Sequence, residues 1–130
     1  MIVTDSSALM TVLLREPGWE AVRTALEHAE VVHISAATLV EVNIVALRRD
    51  VADELDAMLN VPPIVVADVG AEEAGHAVQA YRRWGKGFHA AHLNFGDCFS
   101  YALARQKNLP LLFVGRDFAA TDVIAAIPTA

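Results

Sequence analysis

The feature that most limits what this chain can fold into is an alternation. Short runs rich in β-branched residues are separated by longer stretches of helical hydrophobic period, which predicts an α/β domain built on a mostly parallel sheet. Strands are expected over 2–4, 31–34, 64–69 and 111–114. Helices are expected over 8–14, capped by Ser6 or Ser7, from 19 to about 29, and through Arg49 from a cap at Ser35. Three more follow: one capped by Asp50 and ending near Leu59 before Pro62 and Pro63, one over 71–84, and one from about Asp97 to Lys107.

A parallel sheet gathers functional groups at the carboxyl ends of its strands, where loops meet helix N-termini. Asp5 follows the first strand directly, Asp97 begins a helix, and Asp117 lies three residues beyond the fourth strand. Three carboxylates from distant parts of the chain can thus converge on one edge. Glu41 adds a fourth, set among Val40, Val42, Ile44 and Val45 in AATLVEVNIVAL. An ionised carboxylate buried without a partner costs several kcal/mol or protonates, so Glu41 faces outward, pairs with a base or binds a cation. Asp5 and Asp97 each have a second reading as a turn or cap residue. Ser100 and Tyr101, at +3 and +4 from Asp97, are expected to place hydroxyls beside it.

Charge and cysteine content narrow the chemistry. Sixteen acids against ten bases give a net charge of −6 over 130 residues, which argues against global attraction to nucleic acid but allows a local basic patch or a carboxylate-held cation. A lone cysteine, Cys98, excludes an intramolecular disulfide and a thiolate-rich metal centre. The five histidines show no metal-ligand spacing. Hard oxygen ligands remain, and Mg²⁺ or Mn²⁺ suits them: such an ion keeps several waters and uses one or two direct carboxylates. Phosphodiester hydrolysis needs that arrangement. The stretch YRRWGKGFHAAHLNFG sets Arg82, Arg83 and Lys86 among Tyr81, Trp84, Phe88 and Phe95 just before Asp97, a composition able to hold single-stranded RNA.

The length suits one domain, residues 1–130, and 55% hydrophobic residues commit the chain to a compact fold. Stretches without charge stay well below the ~18 residues of a membrane span. The amino terminus MIVTDSSALM lacks the basic flank of a secretory signal, so a cytoplasmic location is expected.

The sequence resembles PIN-domain ribonucleases, specifically VapC-type toxins of toxin–antitoxin pairs, over its whole length. The resemblance is carried by VTDSSALM around Asp5, TLVEVNIVALRR around Glu41, YRRWGKGFHAAHLNFGDCFSYALA around Asp97 and LPLLFVGRDFAATDV around Asp117. It implies a three-layer α/β/α PIN fold that binds Mg²⁺ or Mn²⁺ in an acidic pocket and cuts RNA, with transfer or ribosomal RNA as the target class. Asp5 and Asp97 would be the principal metal ligands. Glu41 would hold a water on the metal or orient the nucleophile, and Ser7 would support the pocket by hydrogen bonding. The family often has its fourth acid where this chain has Gly115, so Asp117, with Asp122 behind it, is the expected substitute. A VapB-type antitoxin whose C-terminal segment crosses the pocket, often offering an arginine, and a homodimer are the implied partners. The departure at Gly115 supports the alternative of a catalytically silent PIN-like domain that binds protein or RNA.

Overall fold

The computed structural model describes residues 1–60 and 63–128. The break expected at Pro62 and the last two residues of the chain fall outside the described residues. Four parallel strands, β1 (Ile2–Thr4), β2 (Val32–Ser35), β3 (Ile64–Ala67) and β4 (Leu111–Leu112), form a sheet in the order β3-β2-β1-β4. Among the described residues six helices flank it: α1 (Ser6–Leu13), α2 (Trp19–His28), α3 (Ala36–Arg48), α4 (Ala52–Leu59), α5 (Ala71–Trp84) and α6 (Phe95–Lys107). This is the expected three-layer α/β/α architecture.

Alternation along the strands divides the core in two. Val3 and Leu111 point into one layer with Ala77, Trp84 and Leu103 of α5 and α6. Val32, Ile34 and Leu112 point into the other, against Leu9, Val22, Val42 and Leu55 of α1 to α4. Successive strand residues face opposite sides of a sheet, so one residue of offset decides which helices a side chain meets. Because β2 and β4 lie on either side of β1, the strand order reverses beside β1, and a crevice opens there at the carboxyl ends of β1 and β4.

The boundaries differ from expectation where a side chain, rather than periodicity, sets them. Neither Ser6 nor Ser7 caps α1: Asp5 does, accepting from the Ser7 N–H at 3.1 Å. Asp50 does not cap α4. It sits just past the end of α3 with φ +59°, a left-handed conformation that Asp tolerates, and Val51 takes the cap position. α6 starts two residues before Asp97, because Asn94 accepts from the Asp97 N–H at 2.9 Å while Asp97 reaches back to the Asn94 N–H at 3.0 Å. Asp97 is therefore the third residue of a reciprocal cap. β3 and β4 end two residues early, while the Ser35 cap of α3 is as expected. Among the described residues no helix is long and apolar enough to cross a membrane.

Candidate active site

The crevice beside β1 holds a cleft of about 220 Å³ lined by Asp5, Ser7 and Asp97 on one side and the segment from Val114 to Phe118 on the other. Three chain segments meet there for separate reasons. Asp5 is the residue after β1, and its N–H donates to the Leu112 carbonyl of β4 at 2.9 Å. Asp97 is fixed by the reciprocal cap of α6. The wall beyond β4 is tied down by the Val114 N–H, which donates to Ser7 Oγ at 3.1 Å.

Asp5 is 2% exposed, an address that a carboxylate keeps only when its oxygens are satisfied. Ser100 Oγ donates to Oδ1 at 2.7 Å, and Ser7 donates to Oδ2 through both its N–H and its Oγ, the latter at 2.7 Å. These donors use three of the roughly four lone-pair directions of the carboxylate. The expected support by Ser7 is thus present. The expected place of Ser100 and Tyr101 beside Asp97 is not: Ser100 serves Asp5 and lies 3.1 Å from Thr38 Oγ1, and Tyr101 donates to Asp122 at 2.6 Å. The i, i+4 rule puts side chains on one face but does not select their partners.

Glu41 is half-buried and receives the Ser6 hydroxyl at 2.8 Å. Its helix is not enclosed all round, since Val40, Ile44 and Leu47 are exposed. Burial pushes the Glu41 carboxyl above its ordinary pKa, the Ser6 hydrogen bond opposes this, and Asp5 adds to it. Glu41 is not in the cleft lining; it lies against Gly96, the second residue of α6 and the neighbour of Asp97. A Cβ there would collide with Glu41 Oε2 and come within 2.7 Å of its Cδ. A helix would ordinarily favour alanine at such a position. Gly96 is a residue of the candidate site that the sequence reasoning missed, having read it as part of the loop before the helix.

Asp97 feels all three other acids. Burial first, then Asp5, Asp117 and Glu41 in turn, push its carboxyl up to about 7, against the opposing hydrogen bond from the Asn94 N–H. Asp117 is exposed in the far wall of the cleft, next to Gly115, which has φ +116°. Asp122 does not reach the cleft. Tyr101 holds it, and Arg83 and Arg105 lie 3.6 and 3.8 Å from its Oδ2. Cys98 is buried, its thiol raised to about 11 by burial, so it is an inert core residue. Among the described residues no histidine lines the cleft.

These residues suit a hydrated, hard divalent cation. Every donor is a carboxylate oxygen, one Asp97 oxygen is left out of the cap, and burial together with the neighbouring acids holds the Asp97 carboxyl near 7. Among the described residues no three His, Cys, Asp or Glu side chains form a compact ligand cage. An ion bound through one or two carboxylates and its own waters needs none.

Fold and cleft together define an α/β/α domain with carboxylates gathered at the switch point of a parallel sheet. The comparisons with known proteins are narrower. The PIN domain profile matches residues 2–124. Ribonuclease VapC of Mycolicibacterium smegmatis is 43% identical over 95% of this chain and 98% of its own length. Ribonuclease VapC30 of Mycobacterium tuberculosis is 41% identical over 94% and 95%. The chain belongs to the PIN-domain family, among the VapC ribonucleases. Solved structures share the fold: Mycobacterium tuberculosis VapC20, a Sarcin-Ricin loop cleaving toxin, at TM-score 0.77 and 22% identity over 98% of this chain and all of that one. A toxin-antitoxin complex from Klebsiella pneumoniae follows at TM-score 0.73 and 19% identity, over 99% of this chain and all of the matched one.

Proposed function

We propose that this chain is a Mg²⁺- or Mn²⁺-dependent endoribonuclease and the toxin of a toxin–antitoxin pair, with Asp5, Glu41, Asp97 and Asp117 as its catalytic acids and Asp5 and Asp97 as the metal ligands. The observation that carries this reading is the convergence of Asp5, Asp97 and Asp117 on one cleft, with Glu41 held against Gly96 beside Asp97, in a chain about 40% identical to ribonucleases. A divalent cation bound there supplies charge neutralisation at the phosphate and a lowered pKa for the attacking water.

The chain's own groups do the rest. Ser7 and Ser100 hold Asp5 in one orientation, so its remaining lone pair points in a fixed direction. The cap holds Asp97 Oδ2 and leaves Oδ1 to the cleft. Glu41, steadied by Ser6 and raised in pKa, is placed to orient a water and take its proton. Arg116 in the far wall offers a guanidinium to phosphate oxygens. Attack by a water whose pKa a bound cation lowers would leave products without a 2′,3′-cyclic phosphate.

Transfer or ribosomal RNA is the proposed target, in keeping with a structural neighbour described as a Sarcin-Ricin loop cleaving toxin. The proposed protein partners are a VapB-type antitoxin and a second copy of the chain. Exposed Val40, Ile44 and Leu47 on α3, and an apolar groove of about 590 Å³ between α5 and α6 that includes Val78 and Phe95, offer surface to them. Gly115 favours the second reading, a silent PIN-like binding domain. Incubating the purified, antitoxin-free protein with total RNA in Mn²⁺ separates the two. Discrete cuts lost in EDTA are expected. A folded, inhibitor-free protein that cuts nothing would leave the silent domain.

A further inference from the structure

A chain of net charge −6 that acts on RNA must grip the backbone with a local group of cations, and its bases are not equally available for that. Arg23 is engaged by Glu27 at 2.7 Å, and Arg15 stands over Trp19. The basic and aromatic stretch before α6 divides into two. Arg82 faces the apolar groove with Tyr81 and Phe95, whereas Arg83 turns to the other flank of α5.

On that flank, Arg83 and Arg105 meet in a cleft of about 190 Å³ between α5 and α6, walled by Gln79 and Gln106. One carboxylate, Asp122, stands between the two guanidiniums, and it is already committed. Its Oδ1 accepts from Tyr101 at 2.6 Å, and Tyr101 in turn accepts from Trp84 Nε1 at 2.9 Å. Its Oδ2 lies 3.6 Å from Arg83 and 3.8 Å from Arg105, beyond hydrogen-bond length to either. Two positive charges therefore face one negative, and both arginine side chains are largely open to solvent, 63% and 47% exposed. The Arg83 guanidinium rests 4.6 Å from the Trp84 ring centre, which orients it before any ligand arrives. The nearby His76 lies 3.7 Å from Glu72.

The cleft is separate from the acidic pocket and lies farther along α6. Asp97, Tyr101 and Arg105 lie on one i, i+4, i+8 ridge of α6, so Arg105 is about 12 Å along the helix from Asp97. The segment from Asp117 to Asp122 runs from the pocket wall to this cleft, with Arg116 at its pocket end. Resting on the endoribonuclease reading, we propose that Arg83 and Arg105 form a remote phosphate subsite. It holds the backbone of single-stranded RNA a few nucleotides from the bond being cut, and Asp122 is the internal anion that keeps the pair parted and oriented.

The test is fluorescence anisotropy with Asp97→Asn protein and two single-stranded RNAs, one of about 12 nucleotides and a dinucleotide. Arg83→Gln with Arg105→Gln should weaken the longer RNA about tenfold, leave the dinucleotide unchanged, and flatten the log–log salt dependence by about 0.7 for each phosphate no longer neutralised. Arg83→Lys with Arg105→Lys should recover most of the affinity, and Arg23→Gln should have no effect. Thermal unfolding of each variant shows that the fold is kept. An unchanged affinity and salt slope for the longer RNA, or no binding of it at all, would overturn the subsite. If the wild type cuts no RNA yet binding still depends on both arginines, the nuclease reading falls and the subsite stands. If it cuts normally and the arginines are immaterial, only the subsite falls.

Discussion

Asp97→Asn is expected to lower RNA cleavage on the order of a thousandfold, the loss of several kcal/mol of transition-state stabilisation. The substitution spares the fold, because the asparagine oxygen can still accept from the Asn94 N–H in the cap of α6. It also has a sign that a purely structural residue would not show. In the folded, metal-free protein the Asp97 carboxyl sits at about 7, well above its value in an unfolded chain. The folded state thus binds the extra proton, and the stability this contributes is full below about pH 4 and lost as pH rises through 7. At pH 8, without metal, Asp97→Asn should therefore melt higher than the wild type while being nearly inactive. Thermal unfolding beside a cleavage assay reads both. A variant that melts lower and cuts normally would refute the role given to Asp97.

Gly96→Ala is the second large effect. Helix propensity alone would credit this change with a gain of up to about 1 kcal/mol. The added Cβ instead occupies the place of the Glu41 carboxylate. Displacing Glu41 by an ångström or so should cost on the order of a hundredfold in kcat, with far-UV circular dichroism unchanged. Combining it with Glu41→Asp, which shortens the side chain, should recover part of the activity, whereas Glu41→Gln should not. Full activity of Gly96→Ala would mean that Glu41 does not work from its place against α6.

Asp5 and Ser35 were legible in the sequence because each stands at a strand end ahead of an apolar helix, and local chemistry decides such sites. The order of the acids along the chain suggested their convergence on a parallel-sheet edge, and Asp5, Asp97 and Asp117 do line one cleft. What the residues alone did not disclose depends on tertiary partners. Ser100 is spaced to face Asp97 along its own helix, yet donates across the core to Asp5, ninety-five positions away in sequence. Asp122, five residues from Asp117, is drawn off by Tyr101. Gly96 reads as a loop glycine just ahead of a helix until Glu41 from another helix is placed against it. The basic stretch reads as one patch, whereas the helical twist of α5 sends Arg82 and Arg83 to opposite flanks.

The measurement that bears most directly on the acidic pocket is a calorimetric titration of Mn²⁺ into the antitoxin-free protein at pH 8.0 and pH 5.5, beside Asp97→Asn and Asp5→Asn. A cation must displace the proton that Asp97 keeps up to about pH 7, so the wild type should bind about thirtyfold more weakly at the lower pH. Both variants should lose most of the affinity at pH 8.0. No binding by the wild type at pH 8.0, or binding indifferent to both substitutions, would contradict the metal site and with it the proposed chemistry.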